Sequence, residues 1–166
     1  MNKRVLFADL DGNLIETISG ETFPKGIWDM RFKFPVLDKI KKHNFKCLII
    51  VTNQGGIEKG FVDEADFQQK IKYVSTAISE YMGIPVHFQY CKTNNKDDEN
   101  RKPNVGMLKT AVHKYLIKHF LFYTKSEMLM IGDASGKPGQ FSDTDKMTAE
   151  NFGIDYLDVE DFLKEL

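Results

Sequence analysis

The chain has 166 residues, of which 42% are hydrophobic, so it is long and apolar enough for one domain with a packed core. Its 23 lysines and arginines against 24 aspartates and glutamates give a formal charge of -1, which excludes a strongly basic nucleic-acid-binding chain but leaves room for a local basic groove. No apolar run is long enough for a membrane span. Cys47 and Cys91 have no metal-ligand partner at short spacing, so we expect them to be reduced in a cytoplasmic protein.

Short apolar runs alternate with segments of helical period along the chain, a pattern typical of an α/β fold with a parallel sheet. The runs are continuously apolar, as expected for strands that helices cover on both faces. The predicted strands are residues 5–8, 47–51, 86–90, 128–131 and a short fifth at 156–157. The sequence therefore predicts a Rossmann-like, three-layer α/β/α domain with a mostly parallel central sheet.

Helices are predicted between these strands from apolar spacing and from residues that favour helix ends. The predicted starts are Pro35, Asp63, Asn104, Ser142 and Val159, and the predicted C-terminal residues of the first two helices are Asn44 and Gly83. Residues 13–34 and 93–101 lack such a period and are predicted loops. Loops beyond the strand ends of an open α/β sheet are where ligands bind.

Two carboxylates, Asp9 and Asp11, follow the first predicted strand directly. Because alternate residues on a strand point to the same side, both can face one site beyond the sheet edge. Crowded carboxylates repel each other unless a cation neutralises them, and Mg²⁺ prefers oxygen ligands. An ordinary turn rich in Asp and Gly explains the same residues, so this pattern alone leaves both interpretations open.

The second predicted strand is followed by Thr52, Asn53, Gln54 and Gly55. Such a loop can turn backbone N–H groups and the threonine hydroxyl toward a phosphate, although an ordinary strand-to-helix turn has the same residues. Lys102 lies near a predicted helix start, where its charge adds to the helix dipole and favours a bound phosphate. A solvated surface lysine is the alternative.

The fourth predicted strand leads into Asp133, a further carboxylate followed by small residues. Asp145 lies further along the chain and has two interpretations. It either faces the same site or completes a helix cap that Ser142 begins.

In this order, the Asp-x-Asp-Gly unit, the threonine loop, the lysine and the last aspartate resemble the haloacid dehalogenase superfamily of phosphohydrolases. The motifs span residues 5–153, nearly the whole chain. One residue departs from the family pattern, because Asn13 stands where a threonine follows Asp-x-Asp-Gly. This departure bears on how Asp11 is held.

The resemblance implies a mechanism. Asp9 would attack phosphorus and become an aspartyl-phosphate, and Asp11 would protonate the leaving oxygen and then activate water. Mg²⁺ would be held by Asp9, Asp133 and the backbone carbonyl of Asp11. Thr52 and Lys102 would hold the phosphoryl oxygens.

Superfamily members often carry a cap domain, inserted after the first or the third strand. Here those gaps hold about twenty and about ten residues, too few for a domain. We therefore expect a single capless domain over residues 1–166, with a flap at about residues 13–34 and an open site. Asp145 would orient Lys102 or the metal shell from behind.

A finer resemblance concerns the stretches 23–35, 52–57, 101–107, 132–137 and 141–162, which are similar to the 3′-phosphatase domain of polynucleotide kinase 3′-phosphatases. It implies an enzyme that removes phosphate from DNA 3′ ends. The sequence does not settle the oligomeric state, and we favour a monomer. The implied substrate-binding residues are Asn53, Gln54, Gly55, Arg101 and Arg31. Base stacking would fall to Trp28, Phe23 or Phe141, and further phosphate contacts to Lys59 and Lys137, although the aromatic residues are equally explained as packing.

Two other functions stay open. A small-molecule phosphatase of the histidinol-phosphate or heptose-bisphosphate type shares the capless layout and the Thr-Asn-Gln-x-Gly-Ile run. Such relatives usually carry a zinc cluster before the lysine, and residues 91–101 contain one cysteine and no histidine. The third hypothesis is a non-catalytic phosphate-binding protein, which would not need to keep the paired carboxylates.

Overall fold

The computed structural model describes all 166 residues and has a parallel sheet at its centre. The strands are β1 (Val5–Ala8), β2 (Ile15–Glu16), β3 (Arg31–Phe32), β4 (Cys47–Asn53), β5 (Val86–Cys91), β6 (Met128–Gly132) and β7 (Asp155–Asp158). Five of them form the central sheet in the order β5-β4-β1-β6-β7, with every neighbouring pair parallel. The predicted strands are therefore confirmed, four of them slightly longer than predicted.

The helices are α1 (Phe34–Lys42), α2 (Glu64–Met82), α3 (Gly106–Ala111), α4 (Thr144–Phe152) and α5 (Val159–Lys164). A π-helical stretch, Val112–Leu116, and a 3₁₀ turn, Ile117–His119, continue α3. The ends of α2 are as predicted, since the Asp63 side chain accepts from the Asp66 N–H and Gly83 ends the helix in the left-handed conformation. None of the helices is both long and apolar enough to cross a membrane.

Three predicted helix caps are wrong. The helix α1 ends with His43 rather than Asn44 as its C-cap residue. The Asn104 side chain donates to two loop carbonyl oxygens, and α3 begins after Val105 without a side-chain cap. Asp143, rather than Ser142, is the N-cap residue of α4. For Asn104 the reason is local, since loop carbonyl oxygens already engage its side-chain amide.

The core lies on both faces of the sheet, because alternate strand residues point to opposite sides. On one face, strand residues such as Leu6 and Ile50 pack against α1, α2 and α5. On the other face, residues such as Phe7 and Ile49 pack against α3 and α4. The predicted three-layer α/β/α fold is thus confirmed, and it leaves the carboxyl ends of β1, β4 and β6 side by side.

The segment between β1 and α1 forms a flap, residues 15–32, whose base is the antiparallel pair β2 and β3. The sequence predicts a flap at about residues 13–34 but neither of these two strands. Inside the flap, the buried Asp29 carboxylate accepts hydrogen bonds from the N–H and hydroxyl of Ser19 and from the N–H of Lys25. These bonds, that from the Ser19 hydroxyl first, lower the pKa of Asp29 to about 2. One carboxylate therefore ties together two stretches of the flap that lack regular structure.

We expect Asp29→Asn to loosen the flap, because the neutral amide accepts these hydrogen bonds less strongly than a carboxylate does. Amide hydrogen exchange at Ser19 and Lys25 should become about five- to tenfold faster, and the exposed Asp97→Asn change serves as the matched control. In the wild type the same bonds should be intact above the unfolded pKa of Asp, about 3.9, and be lost as the pH falls through the folded value. Unchanged exchange at Ser19 and Lys25 in Asp29→Asn would contradict this role.

Candidate active site

The carboxyl ends of three strands bring the predicted residues Asp9, Thr52 and Asp133 to one edge of the sheet. Strand β1 lies between β4 and β6 in register, with Ala8 paired to both Ile50 and Ile131. Asp9, Thr52 and Asp133 therefore line one cleft of about 670 Å³, together with Asp11, Lys102 and Asp145. Residues from distant parts of the chain meet here because parallel strands end at the same edge.

Lys102 is the cation at the centre of the cleft floor. Its ammonium donates to Asp9 Oδ1 at 3.0 Å and to Asp145 Oδ1 at 2.6 Å, and its side chain is only 2% exposed. Burial alone would lower the pKa of Lys102, but the charges of Asp145 and Asp9 raise it above its ordinary value. The lysine is therefore held as a cation beside Asp9.

Asn53 fixes the backbone of Lys102. Its side-chain amide accepts from the Lys102 N–H at 3.0 Å and donates to the Lys102 carbonyl at 3.1 Å. The sequence predicts Asn53 as a substrate ligand. In the structure, the oxygen and the nitrogen of its side-chain amide both bond to the backbone of Lys102. Lys102 itself lies four residues before α3 begins at Gly106, in a turn rather than at the helix start.

Asp145 completes the ion-paired group instead of a helix cap. One carboxylate oxygen accepts from Lys102, and the other accepts from the Ala134 N–H at 3.2 Å. Burial raises the pKa of Asp145 to about 6, although the charge of Lys102 opposes this shift. The capping alternative is thus wrong, and the predicted orienting contact from Asp145 to Lys102 is present.

Asp9, Asp133 and Asp145 offer carboxylate oxygens that lie within 4.8 Å of one another. Asp133 Oδ1 is buried and has no hydrogen-bond partner. Burial raises the pKa of Asp133 to about 7, and the charges of Asp9 and Asp145 add to the shift. A buried acceptor without a donor is costly, and a hard divalent cation would satisfy it. The donor set fits such an ion, because Asp133 and the second oxygen of Asp9 are available, whereas both oxygens of Asp145 already accept hydrogen bonds.

Asp11 lies in the cleft but outside this carboxylate cluster. Gln54 Nε2 donates to Asp11 Oδ2 and to Thr52 Oγ1, both at 2.9 Å. The amide of Gln54 therefore links the two groups that the sequence predicts to act on the leaving oxygen and on the phosphoryl group.

Asn13 replaces the threonine of the superfamily pattern and is fully buried. Its Nδ2 donates to the Asp9 carbonyl at 2.9 Å and reaches the Ile131 carbonyl at 3.5 Å. Asn13 thereby links the ends of β1 and β6, which carry the two carboxylates of the candidate metal site.

Asn94, in the cleft wall, and Glu58, which supports it, have no sequence signal. The Asn94 side chain donates to the Gly55 carbonyl at 2.8 Å and lines the cleft. Glu58 accepts from the Asn94 N–H and from the Thr93 hydroxyl, while Arg101 donates to the Thr93 carbonyl. Only contacts between residues far apart in the chain reveal these roles.

The remaining predicted ligands separate into two groups. Gly55, Lys59, Arg101, Phe23 and Phe141 line the cleft, and Phe141 is 85% exposed. Arg31, Lys137 and Trp28 do not line it. Arg31 pairs with Glu16 across the flap, Lys137 pairs with Asp158 and Asp161, and Trp28 is exposed elsewhere on the flap.

The fold is similar to that of a D,D-heptose 1,7-bisphosphate phosphatase from B. bronchiseptica, solved in complex with magnesium and phosphate. The TM-score is 0.69 at 18% identity, over 92% of this chain and 78% of that one. Fold, cleft and relatives define a haloacid dehalogenase-type phosphatase, a phosphoric monoester hydrolase. Within that class, the chain belongs to the polynucleotide kinase 3 phosphatase family, whose model matches residues 4–163.

Two relatives extend this comparison. A 20.8 kDa protein from the FGF-VUBI intergenic region of Autographa californica nuclear polyhedrosis virus is 30% identical, over 94% of this chain and 83% of its own. The bifunctional polynucleotide phosphatase/kinase of Schizosaccharomyces pombe is 34% identical over 96% of this chain, which spans only 37% of that relative's length.

We expect Gly12→Ala to disrupt the candidate metal site, because a Cβ at Gly12 would lie 2.2 Å from Asp133 Oδ2. The added Cβ would displace the Asp133 carboxylate, and disturbing the surroundings of a metal ligand typically lowers metal affinity by about ten- to a hundredfold. We expect a loss of this size in the affinity for Mg²⁺. Calorimetric titration with Mg²⁺ measures this change.

Gly60→Ala is the matched control for this experiment. Gly60 has φ +77° against +75° for Gly12, but nothing lies within 4 Å of its added Cβ. The two variants therefore share the backbone strain and differ in the contact with Asp133. Equal loss of Mg²⁺ affinity in both would show that strain alone is responsible.

Proposed function

We propose that the protein is a Mg²⁺-dependent phosphomonoesterase that works through an aspartyl-phosphate on Asp9 and removes 3′-phosphate from polynucleotide ends. The observation that carries this proposal is the buried Lys102 ammonium, 3.0 Å from Asp9 Oδ1 in an open cleft. A carboxylate can approach a phosphate dianion only when their repulsion is cancelled, and a fixed cation beside it does so.

The proposed chemistry uses two carboxylates in turn. An Asp9 oxygen bonds to phosphorus while the bond to the leaving oxygen breaks, and Asp11 gives its proton to that oxygen. Asp11 then takes a proton from water, whose oxygen attacks phosphorus and releases inorganic phosphate and free Asp9. Gln54, which already contacts Asp11 and Thr52, keeps the acid beside the phosphoryl site.

Asp9 and Asp133, with the backbone carbonyl of Asp11, would hold the Mg²⁺ ion. The ion, when bound, supplies positive charge to the phosphoryl oxygens. Thr52 and Lys102 contact the same oxygens from the protein side, and Asp145 keeps the lysine in place. The unpartnered Asp133 Oδ1 supports this assignment.

A polynucleotide end is the substrate that the cleft and the family membership favour. The cleft is lined by residues of the flap, of the end of β4 and the loop after it, and of the segment after β6. Phe23 and Phe141 supply aromatic surfaces for a base, and Lys59 and Arg101 supply charge for backbone phosphates. The two free cysteines support a reducing, cytoplasmic setting.

A small-molecule phosphatase is the second candidate. Glu16 and Glu21 line the flap side of the cleft, which is unfavourable for a polyanion, and the fold is similar to a heptose bisphosphate phosphatase. Against this candidate, residues 91–101 contain one cysteine and no histidine, too few ligands for a zinc cluster.

A comparison of substrates tests the proposal. With Mg²⁺ present, kcat/KM for a 3′-phosphorylated oligonucleotide should exceed that for histidinol phosphate and for a heptose bisphosphate by at least about tenfold. Removing Mg²⁺ with a chelator should abolish release of phosphate from all three. If the oligonucleotide is the poorest substrate by orders of magnitude, the polynucleotide assignment is wrong.

The two carboxylates should also separate in their mutant kinetics. We expect Asp9→Asn to abolish turnover of an aryl phosphate and to leave no phosphorylated protein after acid quenching. Asp11→Asn should slow turnover by about 10²–10⁴-fold and accumulate phosphorylated protein, since an aryl leaving group needs no acid but the second step needs a base. Phosphoprotein in Asp9→Asn would rule out Asp9 as the nucleophile, and a non-catalytic protein would turn over nothing in any form.

A further inference from the structure

We propose that a second pocket, behind Asp11, binds a second phosphate group of the substrate, with Lys70 as its principal ligand. This inference rests on the proposed phosphomonoesterase function and names a subsite for it. The occupant is a phosphate one sugar unit from the phosphate that is removed. Both the last internucleotide phosphate of a polynucleotide and the second phosphate of a sugar bisphosphate have this chemistry.

The second pocket has a volume of about 100 Å³ and lies between flap residues 24–27 and the start of α2. It shares Asp11 and Gln54 with the catalytic cleft. The side chains that contact each other at 2.9 Å, Gln54 Nε2 and Asp11 Oδ2, therefore form a wall common to both spaces. A substrate that reaches across this wall can occupy both.

Lys70 is the feature that the rest of the protein does not explain. Lys70 is 6% exposed and lines the pocket, and its ammonium makes no hydrogen bond or ion pair. It projects from α2 beside the buried Phe67 and Ile71. The ammonium itself is not among the buried atoms that lack a partner, so it reaches solvent at the pocket, where a ligand that supplies an anionic oxygen can form a charge-assisted hydrogen bond with it.

The charges around the pocket favour an anion at the end where Lys70 lies. Lys25, on the flap opposite Lys70, makes no ion pair either. Asp11, Asp63 and Asp66 also line the pocket, but all three are exposed; Asp11 already accepts from Gln54, and Asp63 caps α2. Water screens the charges of exposed carboxylates, which weakens their repulsion of an anion bound at Lys70.

The position of the pocket decides which phosphate it holds. Asp11 is the proposed acid for the leaving oxygen, so the space behind Asp11 lies on the leaving-group side of the reaction. The leaving group of a polynucleotide 3′ end is a nucleotide that carries its own phosphate on the 5′ side. Pro24, Ile27 and Phe67 belong to the apolar part of the lining, and its polar side chains are the charged residues and Gln54.

The test compares substrates that differ only in the second phosphate. For the wild type, kcat/KM for a nucleoside 3′,5′-bisphosphate should exceed that for the nucleoside 3′-monophosphate by about ten- to a hundredfold, the value of one hydrogen-bonded charge pair. The corresponding ratio for the sugar source is kcat/KM for a hexose 1,6-bisphosphate divided by kcat/KM for the hexose monophosphate. The source with the larger ratio is the natural one.

Lys70→Met keeps an unbranched apolar side chain and removes the ammonium, so it should bring this ratio close to one. Lys72→Met is the matched control, because Lys72 lies exposed on the same helix and should keep the wild-type ratio. Lys25→Met, an exposed change that does not endanger folding, should lower the ratio by about threefold. A wild-type ratio near one, or an unchanged ratio in both Lys70→Met and Lys25→Met, overturns the inference.

A binding measurement separates this inference from the proposed function. Calorimetric titration with a nucleoside 5′-monophosphate, which lacks the phosphate that is removed, should show about tenfold weaker binding to Lys70→Met than to the wild type or Lys72→Met. If no phosphomonoester is hydrolysed but this difference is found, the proposed function fails and the subsite stands. Equal binding to all three proteins overturns the subsite.

Discussion

The ion-paired group of Lys102, Asp9 and Asp145 is the interaction on which the rest of the site depends. A lysine buried between two carboxylates is stable only while both partners are present, and removing one from such a pair costs about 3–5 kcal/mol. Each contact therefore fixes the others. Asp145 is itself held by the Ala134 N–H, and Asn53 holds the lysine backbone at both its N–H and its carbonyl. The position of the Asp9 carboxylate therefore depends, through Lys102, on Asp145 and Asn53.

This arrangement concentrates negative charge where a parallel sheet ends. Three carboxylates approach within 4.8 Å of one another, yet the protein supplies only one buried cation among them. The imbalance affects Asp133, because burial and the charges of its acidic neighbours raise the pKa of this residue to about 7. Close approach is possible because Gly12 and Gly132 present no Cβ to Asp133 and Asp145. A site strained in this way by its own charges is one that a divalent cation stabilises strongly.

Strand ends were predictable because a buried strand must be continuously apolar, so Asp9, Thr52 and Asp133 stand out where polarity returns. The sequence therefore predicted the sheet and the residues along its edge. It did not predict Asn53 as a clamp on Lys102, or Asn94 and Glu58 as the support of the Gly55 loop. These contacts join residues up to 49 positions apart through side-chain amides that also suit an ordinary turn. Asn104 failed as a predicted cap for the same reason, since its amide is satisfied by loop carbonyl oxygens.

A small number of contacts also determines the shape of the flap, on the other side of the cleft. Its only regular structure is the short pair β2 and β3, so its shape rests on the Asp29 carboxylate and on the aromatic contact between Phe23 and Phe61 at 5.0 Å. Both contacts bear on the wall of the second pocket, which Lys25 and Phe61 line, while Phe23 lines the cleft. Displacing the flap would thus alter both spaces at once. The flap therefore shapes the walls of both the cleft and the second pocket.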